Sequence, residues 1–368
     1  MSNNIDLRRF VNINIQPYSK NIINSTRDTV VLFTSEGTPS KINLVTSLEQ
    51  AKKDYVSNLT TLAYLKMYFN NGGINVEVHE KIELEALNTE ITKLDNKYIC
   101  IAYASTEINR EKTYASLKAL ANSRSTDSTV YGINEKLILA STSVNSDKDL
   151  VKNFVVKYVT NEGDNQSKLG AEMTIAAYLS KINVYGVNSI FDYNFTPENI
   201  TPEDITDSAF NTVLTNNMNI DIILGNGVKN AGGNCKDGED VTNSFVRIIL
   251  HQTLTDAVIN TLTQKIKNTD GISKLYTSIT QELAKYLTSG YLTTDKVWTE
   301  DDLIINYNNV NYTIINKYTA LSNGYFIKIL PISALSNQDK IEHKVPPIYI
   351  ILADQYGIRK VTITGKVI

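Results

Sequence analysis

The sequence is poor in the features from which disulfide-stapled domains, membrane proteins and most enzymes are built. Its two cysteines, Cys100 and Cys235, lie far apart. They fit free thiols in a reducing compartment, because a disulfide framework needs several closely spaced pairs. There is no basic excess: 36 Lys and Arg stand against 39 Asp and Glu, a formal net charge of -3. Such a chain has no positive field with which to hold a phosphate backbone, so nucleic acid is not an expected partner. No apolar run approaches the ~20 residues that span a bilayer, so membrane insertion is not expected. The start, Met1-Ser2-Asn3-Asn4-Ile5-Asp6, has neither the basic head nor the apolar centre of a secretory leader. The expectation is a protein made in a cytoplasm and kept there unless a larger particle carries it out.

Catalytic signatures are missing as well. There is no G-x-x-x-x-G-K-[ST] phosphate loop and no G-x-S-x-G elbow. His79, His251 and His343 are scattered, without H-x-x-x-H spacing or a neighbouring cysteine pair, and read as ordinary surface or core residues. The run Asp237-Gly238-Glu239-Asp240 gathers carboxylates but lacks the alternating oxygen ligands of a hard-metal loop. Asp240 reads instead as the cap of a helix beginning at Val241. The sharpest candidate is Ile222-Ile223-Leu224-Gly225-Asn226-Gly227, a strand running into G-x-G. A dinucleotide loop needs a third glycine three residues on, where Asn230 stands, and a helix after it. A plain turn is the favoured reading, and no cofactor or metal is expected.

What the chain does have is strand pattern at both ends. Val361, Ile363 and Val367 alternate with Thr362, Thr364 and Lys366 up to Ile368. Val11, Ile13 and Ile15 alternate in the same way before Pro17, which cannot donate to a ladder. Strands at termini need a sheet to accept them, in their own subunit or in a neighbour. The pattern alone favours pairing inside one domain, with inter-subunit arms as the alternative.

Between the ends, 42% hydrophobic and 20% charged residues make an ordinary globular balance, and the length suits about two domains. Thr29 to Phe33 reads as a buried strand, Ser47 to Gln50 as a capped helix start, and Leu59 to Phe69 as a helix stopped by Asn70-Asn71-Gly72-Gly73. Strands follow at Ile74 to Val78, Tyr98 to Tyr103 and Lys136 to Ala140, with a helix over Thr113 to Ala121. This order predicts a mixed α/β (α+β) layer. Leu169 to Leu179 and Ala209 to Leu214 read as helices, Ile220 to Leu224 as a strand, and the Gly-rich link from Gly225 to Gly238 as the domain boundary. Two long helices, Val241 to Lys267 and Ile272 to Leu287, lead into strands at Leu303, Tyr312, Tyr325 and Ile348.

Taken in order, these features resemble the tail sheath proteins of contractile bacteriophage tails and related injection machines. The resemblance lies in Val11 to Ile15 followed by Val30 to Phe33, then Val45 to Ala51, and above all Ala63-Tyr64-Leu65-Lys66-Met67-Tyr68-Phe69-Asn70-Asn71-Gly72-Gly73 into Ile74 to Val78. Ala176 to Asn183, the paired helices from Val241 to Leu287, and Pro346-Pro347-Ile348-Tyr349-Ile350 through Gly357-Ile358 to Ile363 continue it. It covers most of the chain, although the chain is short for the family and lacks a large protruding domain.

The resemblance implies a two-domain sheath subunit with mixed sheets flanked by helices and extended N- and C-terminal strand arms. Residues 1–25 would be the N-terminal arm, 26–232 an outer α/β domain, 233–345 the inner sheath domain, and 346–368 its C-terminal strand and arm. Copies would stack as hexameric rings around a tail tube and contract, without enzymatic activity. The arm residues Val11, Ile13, Ile15, Val361, Ile363 and Val367 would add strands to neighbouring subunits. Lys274, Glu282 and Lys285 would face the tube. Partners would be further copies of the chain, the tail tube protein, and baseplate and tail terminator proteins, with assembly in the bacterial host cytoplasm and residence in the virion. The competing classes are an α/β nucleotide-binding enzyme built on Gly225 and Gly227, and a non-contractile virion or scaffold protein.

Overall fold

The computed structural model describes residues 13–17, 30–94, 98–126, 135–160, 168–184, 195–262, 268–341 and 344–353. Strand β1 (Ile13–Pro17) belongs to a sheet that is completed only near the other end of the chain. The chain then lays down β2 (Val30–Thr34) and the edge strand β3 (Ile42–Val45). Helices α1 (Leu48–Asp54) and α2 (Leu59–Asn70) lead to β4 (Val76–His79). Helix α1 starts as its sequence dictates: the Ser47 hydroxyl accepts the Gln50 N–H at 3.2 Å, and Gln50 Oε1 accepts the Thr46 N–H. Helix α2 stops at Asn71 and Gly72, with Gly72 at φ +76°, a conformation a Cβ would penalise. Helix α3 (Leu87–Lys93), β5 (Cys100–Ala104), α4 (Arg110–Thr126), β6 (Leu137–Thr142) and β7 (Phe154–Tyr158) complete this part.

The resulting sheet runs β3-β4-β2-β5-β6-β7, all parallel except β3, which is antiparallel to β4. The five parallel strands have a doubly wound order, reversing direction at β2 and β5. Both faces are covered, so these strands read as apolar runs rather than as alternation. Val30, Leu32, Cys100, Leu137 and Val155 pack under α1, α2 and α5 (Met173–Ser180). Val31, Phe33, Ile101, Ile138 and Phe154 face α3, α4 and α6 (Asp207–Thr215). Strand β8 (Ile220–Leu224) follows a parallel bridge between Asn219 and Lys157 and turns back as β9 (Gly227–Ala231).

Helices α7 (Val241–Leu262) and α8 (Asn268–Thr288) pack together and carry the first buried cluster on from the large sheet. A ribbon of β10 (Leu303–Tyr307) and β11 (Val310–Ile315) precedes β12 (Tyr325–Ile329), the short α9 (Asn337–Ile341) and β13 (Ile348–Leu352). In the second sheet β13 is central, parallel to β1 and antiparallel to β12. Ile348, Ile350 and Leu352 join the α7–α8 core, while Tyr349 and Ile351 pack with Trp298, Ile314 and Ile315.

Several elements differ from the sequence reading. Strands β3 and β7 are not foreseen, and β9 occupies a stretch read as loop. Asn268 to Gly271, the gap between the two long helices expected from the sequence, form the first turn of α8. The expected closing strand beyond Arg359 lies outside the described residues.

Candidate functional site

Of the six residues expected to form arms, Val11, Val361, Ile363 and Val367 lie outside the described residues. Ile13 and Ile15 sit in β1, opposite Ile348 and Ile350 of β13 in the same chain. Among the described residues, β1 and β12 are the two edges of this three-stranded sheet. Their outward backbone groups are where a further strand would add.

On α8, Lys274 and Lys285 are exposed, as a surface for a partner requires. Glu282 is not. Its side chain is buried and bonded to Lys285 Nζ at 2.5 Å, as the i,i+3 spacing on a helix allows. Leu275, Ile279, Leu283 and Tyr286 fill the inward side of the helix.

The G-x-G candidate is resolved by geometry. Leu224 pairs with Gly227, so Gly225 and Asn226 are a two-residue hairpin loop, with Gly225 at φ +61°. That is turn chemistry. A strand follows where a nucleotide loop needs a helix, and a Cβ built at Gly225 or Gly227 would meet nothing within 4 Å. The acidic run is likewise structural: Asp240 Oδ1 accepts the Asn243 N–H at 3.0 Å as a helix cap, and Glu239 accepts two 2.7 Å bonds from Arg247. No cluster of His, Cys, Asp and Glu suited to a metal occurs among the described residues. Cys100 and Cys235 are buried and free, His79 bonds Glu77 at 2.7 Å, His251 is buried in α7, and His343 lies outside the described residues.

Sequence reasoning missed the polar joint between the two parts of the chain. Asn219 is fully buried; its Oδ1 accepts the Gly233 N–H at 2.7 Å, and its Nδ2 donates to the carbonyls of Val156 and Asn234. Lys236 Nζ donates to the carbonyls of Asp147 and Asn216, and Arg247 reaches Asn153 as well as Glu239. Beside this joint, Lys157 in β7 is fully buried, with Asp221 Oδ1 and Asn230 Oδ1 each 2.5 Å from its ammonium. Burial drives the Lys157 pKa down and the Asp221 pKa up, opposed in both by their mutual attraction.

A cleft of about 190 Å³ opens where β2 and β5 end, lined by Glu36, Glu83, Glu85, Ser105, Asn109 and Lys112 among others. In doubly wound sheets this is where ligands bind. Here the chain's own carboxylates take up the donors at the strand ends. Glu36 accepts the Thr60 and Thr61 N–H groups at 3.3 and 2.9 Å and the Thr61 hydroxyl at 2.7 Å. Glu111 accepts from the Ser143 N–H and the Thr142 and Ser143 hydroxyls; Glu203 accepts from the N–H and hydroxyl of Thr160. Burial alone would raise the Glu36 pKa, but the Thr61 and Thr60 donors outweigh it and hold the carboxyl below its usual range.

With this geometry in place, the comparisons are specific. Residues 242–367, about a third of the chain, match the family described as E217 tail sheath protein gp31-like, C-terminal domain. The resemblance to contractile tail sheath proteins is borne out over this C-terminal third. A chain in the cryo-EM structure of the anti-feeding prophage (AFP) baseplate in contracted state shares the fold, with a TM-score of 0.59 at 14% identity, covering 97% of this chain and 97% of that one. No curated protein matches the sequence. No described helix is long and apolar enough to cross a membrane.

Proposed function

We propose that the chain is the subunit of a contractile sheath that stacks as six-membered rings around a tail tube. The single observation that carries this reading is the second sheet, whose centre and one edge come from the two ends of the chain, β13 and β1. A sheet assembled from chain ends is suited to exchange strands with neighbours. Main-chain hydrogen bonds then hold while rigid bodies rotate. Terminal residues around Ile13, Ile15, Val361, Ile363 and Val367 knit the mesh. Lys274 and Lys285 on α8 meet the tube, with Glu282 fixing the Lys285 side chain. Contraction draws on a lattice assembled in a strained, extended state on the tube, so no nucleotide is consumed. Partners are other copies, the tube protein, and baseplate and terminator proteins, with assembly in the bacterial cytoplasm.

Negative-stain electron microscopy of particles containing the protein tests this directly. The expected images are hollow striated cylinders in a long thin and a short wide form. Cylinders of one fixed length under conditions that trigger related particles would overturn contraction and favour a static scaffold.

A further inference from the structure

We infer that Glu36 is a built-in anion: its carboxylate occupies, within the chain, the position at the N-terminus of α2 that a bound phosphate or carboxylate takes in ligand-binding sheets of this topology. The helix supplies the reason. Asn58, the N-cap residue of α2, makes no side-chain capping bond, so the first-turn donors need an acceptor from elsewhere. Thr60 and Thr61 give their N–H groups to Glu36, which lies more than twenty positions upstream in the loop after β2. Aligned donors at a helix start favour a negative group, from whatever source.

Three further observations fix the assignment. The Glu36 carboxylate is gripped on its flank by the Thr61 hydroxyl, which is itself 2.8 Å from the Thr34 hydroxyl at the end of β2. The Glu36 N–H donates back to Thr34 Oγ1 at 3.1 Å, closing the loop on itself. Glu36 also lines the cleft at the point where the strand order reverses, so the space outside it is open to small solutes. The large sheet thus keeps the architecture of a binding domain with an anion position filled by the chain's own side chain. This inference is independent of the sheath reading.

The test is chemical rescue on the full chain. Glu36→Ala removes the carboxylate and leaves the donors, and its thermal midpoint should fall by several degrees. Sodium formate or inorganic phosphate should then restore at least half of that loss saturably, beyond sodium chloride at equal ionic strength. Wild type and Glu36→Gln, which keeps an acceptor, should respond to these anions no more than to chloride. An unchanged midpoint in Glu36→Ala, or a loss that formate and phosphate repair no better than chloride, overturns the inference. Should Glu36→Ala be insoluble, its refolding yield from denaturant is read with and without formate. A higher yield with formate than with chloride supports the built-in anion, and equal yields overturn it.

Discussion

Residues 30–158 supply all six strands of the large sheet from one continuous stretch of chain. The small sheet takes β1 from residues 13–17 and its other two strands from residues 325–352. Closing that sheet costs the loop entropy of nearly the whole chain for a five-residue parallel ladder. The large sheet also buries both faces, bonds its strand ends to its own glutamates and bridges its β7 edge to Asn219. The small sheet leaves β1 and β12 as edges among the described residues. One sheet closes within a single continuous stretch of chain; the other joins segments near the two ends.

The sharpest way to break this contrast is truncation. Removing the residues after Arg359 should leave a folded, soluble subunit with native far-UV dichroism, because the large sheet needs none of them. Polymerisation into tubes should be abolished. Normal tubes from the truncated chain would remove the terminal strand from the assembly, and a chain that unfolds would show that the two regions are not independent.

The second test concerns how the large sheet closes its β7 edge. Lys157→Met alone strands Asp221 and Asn230 in the interior, and denaturant unfolding should show a loss of about 3–5 kcal/mol. Lys157→Met combined with Asp221→Leu removes both charges. It should recover most of that loss, since a buried ion pair replaced by apolar groups of similar volume is often neutral. A double variant no better than the single would mean that the pair contributes through Asn230 or the nearby Thr174 hydroxyl instead.

A smaller effect is expected on the surface of α8. Lys274→Glu with Lys285→Gln should weaken binding to the tube about tenfold in co-sedimentation, chiefly through charge complementarity. Assembly of the sheath itself should persist. Lys285→Gln is the cleaner change there, because Lys285→Glu would place a carboxylate against the buried Glu282. Unchanged tube binding would move the tube contact off this helix.

How much of this was legible depended on whether the signal was local. The Ser47 cap, the Asn71-Gly72 stop, the period of α8 and the strands at Tyr325 and Ile348 depend on neighbours a few residues away, and each formed near its expected place. Strand β7 was hidden because Lys157 interrupts Phe154-Val155-Val156 with a charge. The partner that neutralises it, Asp221, arrives 64 positions later. Strand β3 is four residues at an edge, with Ile42 and Leu44 exposed, too short to show a period. Glu36 carried no sign of its role, since its partners belong to a helix that starts after two further elements. The G-x-G lacks a third glycine and reads as a turn from the sequence, and its pairing with β9 agrees.

The smallest expected effect is a pH dependence at the joint. Asp147 accepts bonds from Lys118 and Tyr114, and its carbonyl holds Lys236. Burial would raise its pKa, but bonds from Lys118, Tyr114 and the Asp149 N–H prevail and bring it from 3.8 to about 2. A carboxyl whose folded pKa is depressed stabilises the fold above its unfolded pKa and loses that contribution as pH falls through the folded one. The window therefore runs from about pH 4 down to about pH 2. Lys118 is partly exposed and solvent screens the pair, so the contribution is about 1 kcal/mol. Asp147→Asn should flatten the acid limb of the stability curve by that amount while leaving unfolding at about pH 2 and below nearly unchanged. The joint binds the large-sheet region to the segment that leads into α7. An acid limb that stays as steep in Asp147→Asn would place the pH-sensitive contact elsewhere, with Glu135, whose pKa is also lowered, next in line beside Arg247 and Lys152.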